Sequence, residues 1–186
     1  MEREEKAKKK NRTNPQYQWV AVVFCLSVSL SAVLSLLSET ALDGAGYAVA
    51  LGVLAVFIGL GIVFDIIGVA VTAADPRPFH SMAAHREKGA QEALFLLRNA
   101  SRVSSVCNDV VGDICGIVSG TTGAVLVTLL QRAAGTGSII LSVGVTALIS
   151  GLTIGGKALG KSFAMNNCTD VVFAAGRFLA VFHRGR

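Results

Sequence analysis

Two carboxylates four residues apart, Asp109 and Asp113, stand in an otherwise apolar run, with Asn108 beside them and Ser105 one turn earlier. On a helix, side chains at i and i+4 share a face, so both carboxylates project the same way. Carboxylate, amide and hydroxyl oxygens are the ligands a hard cation such as Mg²⁺ prefers. An ionisable side chain at the centre of a membrane span costs about 2.5–3.5 kcal/mol on insertion scales, so one found there is a candidate for ion binding or an ion path. Asp109, Asp113 and Asn108 are therefore candidate metal ligands. Ser105 is a candidate for lining the path, as is Asp65, which interrupts a separate apolar run. The bland alternative is structural: carboxylates at the water boundary, or capping neighbouring helices. Gly112, Gly116, Ser119, Gly120 and Gly123 follow as small residues whose spacing suits close helix packing.

These residues need apolar helices to hold them, and the composition supplies them. Of 186 residues, 52% are apolar and 16% charged, with mean hydropathy +0.59. A soluble domain carries about 25% charged residues. The shortfall lies in four apolar runs near 19–38, 47–74, 105–130 and 138–154, whose charged residues are Asp65, Asp109 and Asp113, each run long enough to span a bilayer. An all-α polytopic membrane protein is expected, with four transmembrane helices. Residues 1–18 form a basic tail, read as disordered. The run from Trp19 exceeds the 7–15 residues of a cleaved signal's core, so it reads as an uncleaved anchor. Asp75-Pro76-Arg77-Pro78 stops the second run, and residues 79–102 form an amphipathic helical hairpin with a break near Gly89. After the fourth run, Gly155 to Lys161 reads as a connector into an amphipathic C-terminal helix ending near His183.

The net charge of +5 could suggest nucleic acid, but the basic residues are blocked between apolar runs rather than gathered on a patch, so no nucleic-acid partner is expected. Sixteen of the 17 Lys and Arg lie in the tail (Arg3, Lys6, Lys8, Lys9, Lys10, Arg12), the hairpin (Arg77, Arg86, Lys88, Arg98, Arg102) and the C-terminal part (Lys157, Lys161, Arg177, Arg184, Arg186). Only Arg132 lies on the other side. By the positive-inside rule both termini are cytoplasmic, in the plasma membrane. Cys25, Cys107, Cys115 and Cys168 lack paired ligand spacing and are expected as free thiols. The acceptor patterns at Asn99 and Asn167 fall on the cytoplasmic side, where they go unused. Gly155 to Ser162 matches G-x-x-x-x-G-K-[ST], but it follows a membrane-length run rather than a buried strand, so a phosphate loop and a nucleotide enzyme are disfavoured.

The order of parts resembles the transmembrane domain of the CNNM/CorC (CorB) family of magnesium transporters, over residues 47–186, with 19–38 as an added span. The stretch Glu87 to Leu94 with Leu97, Arg98, Asn99, Arg102 and Ser105 is similar to that family's hairpin and the start of its next span. Gly156 to Ala164 is similar to its conserved glycine–acid–proline–lysine element, and Ala174 to Phe182 to its juxtamembrane helix. The family's acid in that element corresponds here to Lys157, its proline to Gly160, and the polar end of its first span to Asp65–Gly68. The resemblance implies a homodimer binding a largely dehydrated Mg²⁺ in an inward-facing cavity, and no enzymatic activity. CBS regulatory domains are not expected, so a separate regulatory partner would stand in for them. Lys157 would then repel the ion or pair with Asp109 or Asp113 as a fixed counter-ion. Two functions follow as expectations: binding or transport of a divalent cation, with Mg²⁺ the implied ion, or a non-transporting scaffold that keeps the fold.

Overall fold

The computed structural model describes residues 15–44, 46–135 and 137–183, which are helical with no strand among them. The expected tail lies outside the described residues, except that Pro15 to Gln18 already belong to the first helix. Four helices are long and apolar enough to cross a membrane: α1 (Pro15–Leu42), α2 (Tyr47–Ala73), α5 (Ala100–Ala134) and α6 (Ile139–Asn166). At 1.5 Å per residue, 27 residues extend about 40 Å, more than the roughly 30 Å of bilayer hydrocarbon. Between α2 and α5 lie the short helices α3 (Arg77–Ala84) and α4 (Ala90–Arg98), and α7 (Cys168–His183) follows α6.

Proline chemistry ends α2 as expected. Ala74 is extended, the residue after it precedes Pro76, and the Asp75 carboxylate accepts the Arg77 N–H at 2.9 Å, which turns the chain into α3. The fourth run differs from expectation. Helix α6 continues unbroken through Gly155 to Lys161 and stops only at Asn167, whose side-chain amide donates to the Phe163 carbonyl. The loop-like glycines are interior helical residues there, so the G-x-x-x-x-G-K-[ST] match forms no phosphate loop. Asn99 ends α4 in the same way, donating to the Phe95 carbonyl at 2.9 Å.

The contacts fix the helix directions. The Tyr47 hydroxyl at the start of α2 donates to the Leu129 carbonyl near the end of α5, while Gly68 meets Asn108 near its start, so the two run antiparallel. Gly156 and Gly160 of α6 lie against Ile62 and Ile66 of α2, in parallel. The Arg102 guanidinium stands 5.0 Å from the Trp19 ring, and the Ser38 hydroxyl lies 3.3 Å from that of Thr122, so α1 runs parallel to α5. Thr122 donates its proton to the Val118 carbonyl, which leaves Ser38 as donor in the inter-helix bond. Helix α1 packs from outside through Val23, Leu30 and Leu34 onto Phe57, Val110 and Ile114.

These directions gather the described basic residues of the hairpin, α6 and α7 at one end of the bundle and leave Arg132 at the other. At the basic end a core of Ala70, Val71, Phe79, Ala93, Leu96, Ala164 and Val172 joins α2, the hairpin, α6 and α7. Two glycines set its closest approach. Gly89 has φ +94, and a Cβ there would lie 2.6 Å from the Arg177 backbone nitrogen; a Cβ at Gly176 would lie 2.5 Å from the Gly89 carbonyl oxygen and 2.8 Å from the Ala93 nitrogen. All of these are backbone atoms, which cannot rotate aside. Gly176→Ala is therefore expected to destabilise the protein by about 1–3 kcal/mol in a detergent unfolding assay. Gly120→Ala, where a Cβ meets nothing within 4 Å, should leave the midpoint unchanged or raised.

Candidate functional site: a polar layer beside a π-helical turn

Helix α5 is not uniform. Val106–Gly112 is a π-helix, in which backbone bonds reach i+5 instead of i+4. Such turns are rare and frequently mark functional sites. The π-helical stretch contains two of the sequence's candidate residues, Asn108 and Asp109.

Gly61, Asp65 and Gly68 follow at i, i+4 and i+7, one face of α2. That face is pressed against the π-helical turn. A Cβ at Gly61 would lie 3.3 Å from the Cys115 Cβ and 3.9 Å from the Gly112 carbonyl oxygen, and one at Gly68 would overlap the Asn108 carboxamide. The absence of a side chain at Gly68 lets Asn108 lie against α2, and that at Gly61 lets α2 approach Cys115 and the Gly112 carbonyl. Between them Asp65 is only 5% exposed. Asp65 is one helical turn from Gly68, the residue that meets Asn108, so it lies on the same face of α2.

Two acceptor atoms in this layer are buried without a hydrogen-bond partner, Asp65 Oδ2 and Asn108 Oδ1. The Asn108 amide nitrogen is engaged, donating to Ser104 Oγ at 3.2 Å, and this fixes its oxygen as the free end. A buried unpartnered acceptor costs about 1–3 kcal/mol, and more if charged. Lys157 enters the same layer from α6, half-buried, with its Nζ 3.5 Å from where a Gly112 Cβ would stand. No ion pair joins it to Asp65, Asp109 or Asp113 among the described residues.

The sequence candidates are thus divided. Asp109 and Asp113 do share a face, but it is exposed and leads onto Gly116 and Gly120, which are also open, while Asn108 turns inward to α2. The structure separates Asn108 from the two carboxylates with which the sequence grouped it: Asn108 and Asp109 are consecutive helical residues, and consecutive side chains point to different faces. Ser105 is half-buried, and the hydroxyl that meets Asn108 is that of Ser104. Among the described residues no group of three or more His, Cys, Asp or Glu converges as a metal site. Neither Ser104 nor the Gly61–Gly68 pair stood out in the sequence. The available signal was a carboxylate flanked by glycines at helical spacing.

No family model matches the chain, and no curated protein or solved structure matches it at a significant level.

The chemistry of the layer is that of an oxygen donor set: one carboxylate, one amide oxygen and one hydroxyl, with an ammonium nearby. If Asp65 is charged and unpartnered in the ion-free protein, an apolar residue of similar size should be better tolerated than the native one. Asp65→Leu is expected to raise the unfolding midpoint in chelator-containing detergent buffer; a lowered midpoint would mean that Asp65 has a stabilising partner.

Proposed function

We propose that this chain is a multi-pass membrane protein that binds a cation inside its helix bundle, between Asp65 of α2 and Asn108 of the π-helical turn. The observation that carries this reading is the pair of buried, unpartnered oxygens on facing helices. Evolution seldom leaves two such acceptors together unless something fills the space, and oxygen acceptors attract cations. Mg²⁺ keeps several waters and is bound through one or two carboxylates, so a single carboxylate with an amide and a hydroxyl is a sufficient donor set. The resemblance to the CNNM/CorC transmembrane domain supports the same ion, now held by Asp65 and Asn108 rather than by Asp109 and Asp113.

The setting is the plasma membrane, with the basic end of the bundle, including the hairpin and α7, in the cytoplasm. The one-ended distribution of Lys and Arg supports this. The exposed face bearing Asp109, Asp113, Gly116 and Gly120 is the surface on which a second copy would pack, because carboxylates left facing lipid are costly. A separate regulatory partner would act at the cytoplasmic end.

A second reading is favoured by Lys157. Its ammonium stands beside Gly112 in the layer as a tethered cation, which suits a scaffold that keeps the fold without moving an ion. The two readings part in a thermal-unfolding titration. For the ion-binding reading, MgCl₂ at about 100 times Kd stabilises the protein by about 2.7 kcal/mol. Asp65→Asn and Asn108→Ala remove that response, whereas Asp109→Asn combined with Asp113→Asn keeps it. A parent protein indifferent to Mg²⁺ contradicts ion binding. If Lys157→Ala then gains a response to Mg²⁺, the scaffold reading holds, with Lys157 as the resident counter-ion.

A further inference from the structure

Helix α7 has two working faces. One, with Val172 and Gly176, is buried against the hairpin. The other carries Val171, Ala174, Ala175, Phe178 and Leu179, at i, i+3, i+4, i+7 and i+8, the spacing of an apolar stripe. This stripe forms one wall of an open groove of about 640 Å³, whose opposite wall is Val63, Phe64, Ile66 and Ile67 of α2, with Leu96, Val103 and Cys107 closing the third side. Each of these lining residues is apolar. The groove starts at the level of Asp65, inside a helix of membrane-spanning length, and opens toward the basic end.

We propose that this groove holds an acyl chain of an anionic phospholipid. Three observations select that occupant. The volume lies within the roughly 300–1,000 Å³ of small-molecule sites, and nothing in the lining could satisfy a polar ligand. The exposed Arg98 and Arg102 stand within two residues of the lining Leu96 and Val103, against the exposed Asp170 beside Val171, while Arg177 lines a separate pocket on the hairpin face of α7. The level of the mouth is that of a headgroup, because the Arg102 guanidinium rests over Trp19, and tryptophan with arginine is the pairing that marks a membrane interface. An acyl chain within the groove with its phosphate at Arg98 and Arg102 satisfies both halves of the site. The proposal is independent of the ion site, since none of its residues is Asp65, Asn108 or Lys157.

The test uses the full chain in detergent with phosphatidylglycerol, phosphatidylcholine, or soluble glycerol phosphate as probes. Native mass spectrometry and unfolding midpoints are the readouts, with the oligomeric state measured alongside. Phosphatidylglycerol should bind and stabilise at about tenfold lower concentration than phosphatidylcholine, and glycerol phosphate should do nothing. Ala174→Trp points a large side chain into the groove from an exposed position and should lose both lipids while remaining folded. Arg98→Gln with Arg102→Gln should abolish the preference and keep the binding. Stabilisation by glycerol phosphate alone, equal response to both lipids in the parent protein, or a folded Ala174→Trp variant that keeps the full lipid response would each overturn the proposal. So would an Ala174→Trp variant that changes only from dimer to monomer, which would make the groove a contact between copies.

Discussion

The rest of the bundle depends on how closely α2 meets the π-helical turn of α5. At that crossing two glycines replace side chains on α2: Asn108 of α5 fills the space at Gly68, and Cys115 with the Gly112 carbonyl meets Gly61. Close approach brings a carboxylate, an amide and a backbone carbonyl together in a layer that excludes solvent. In a membrane such an approach is worth more than in water, since lipid offers no hydrophobic drive for helices to associate and packing must hold them. The same crossing orients the neighbours: α6 lies along α2 through Gly156 and Gly160, and this carries Lys157 to the layer.

The second dependency lies at the basic end. The hairpin and α7 interlock where Gly89 and Gly176 meet, and that contact is made by backbone atoms. It ties the hairpin and α7 to the end of α2, four to eight residues beyond Asp65. Ala70 and Val71 of α2 pack in the same core as Val172 of α7. The acyl groove runs along the other face of α7, so lipid, hairpin and polar layer are mechanically close.

The spans were legible in the sequence because charge is excluded from long runs, and Gly89 was legible as a break because no other residue would punctuate a basic amphipathic stretch there. The junction at Asp75-Pro76 was readable for the same reason. Other features were not. Gly155 to Lys161 resembles a loop by composition, yet glycines inside a membrane helix serve packing, and two of them receive Ile62 and Ile66. The π-helical turn has no sequence signature, and adjacency along the chain grouped Asn108 with Asp109 and Asp113, although consecutive helical residues do not share a face. Asp65 was recognised as costly, but its partner on α5 could not be chosen without knowing which residues turn inward. The three candidate acids were therefore visible, while their division into one buried and two exposed groups was not.

The most direct test is the Mg²⁺-induced infrared difference spectrum of the purified protein, compared between the parent chain and Asp65→Asn. If a cation is held by the buried carboxylate, Mg²⁺ shifts a carboxylate stretching band in the parent and the shift is absent in Asp65→Asn. A difference spectrum that is unchanged by Asp65→Asn and disappears instead with Asp109→Asn and Asp113→Asn would contradict the assignment.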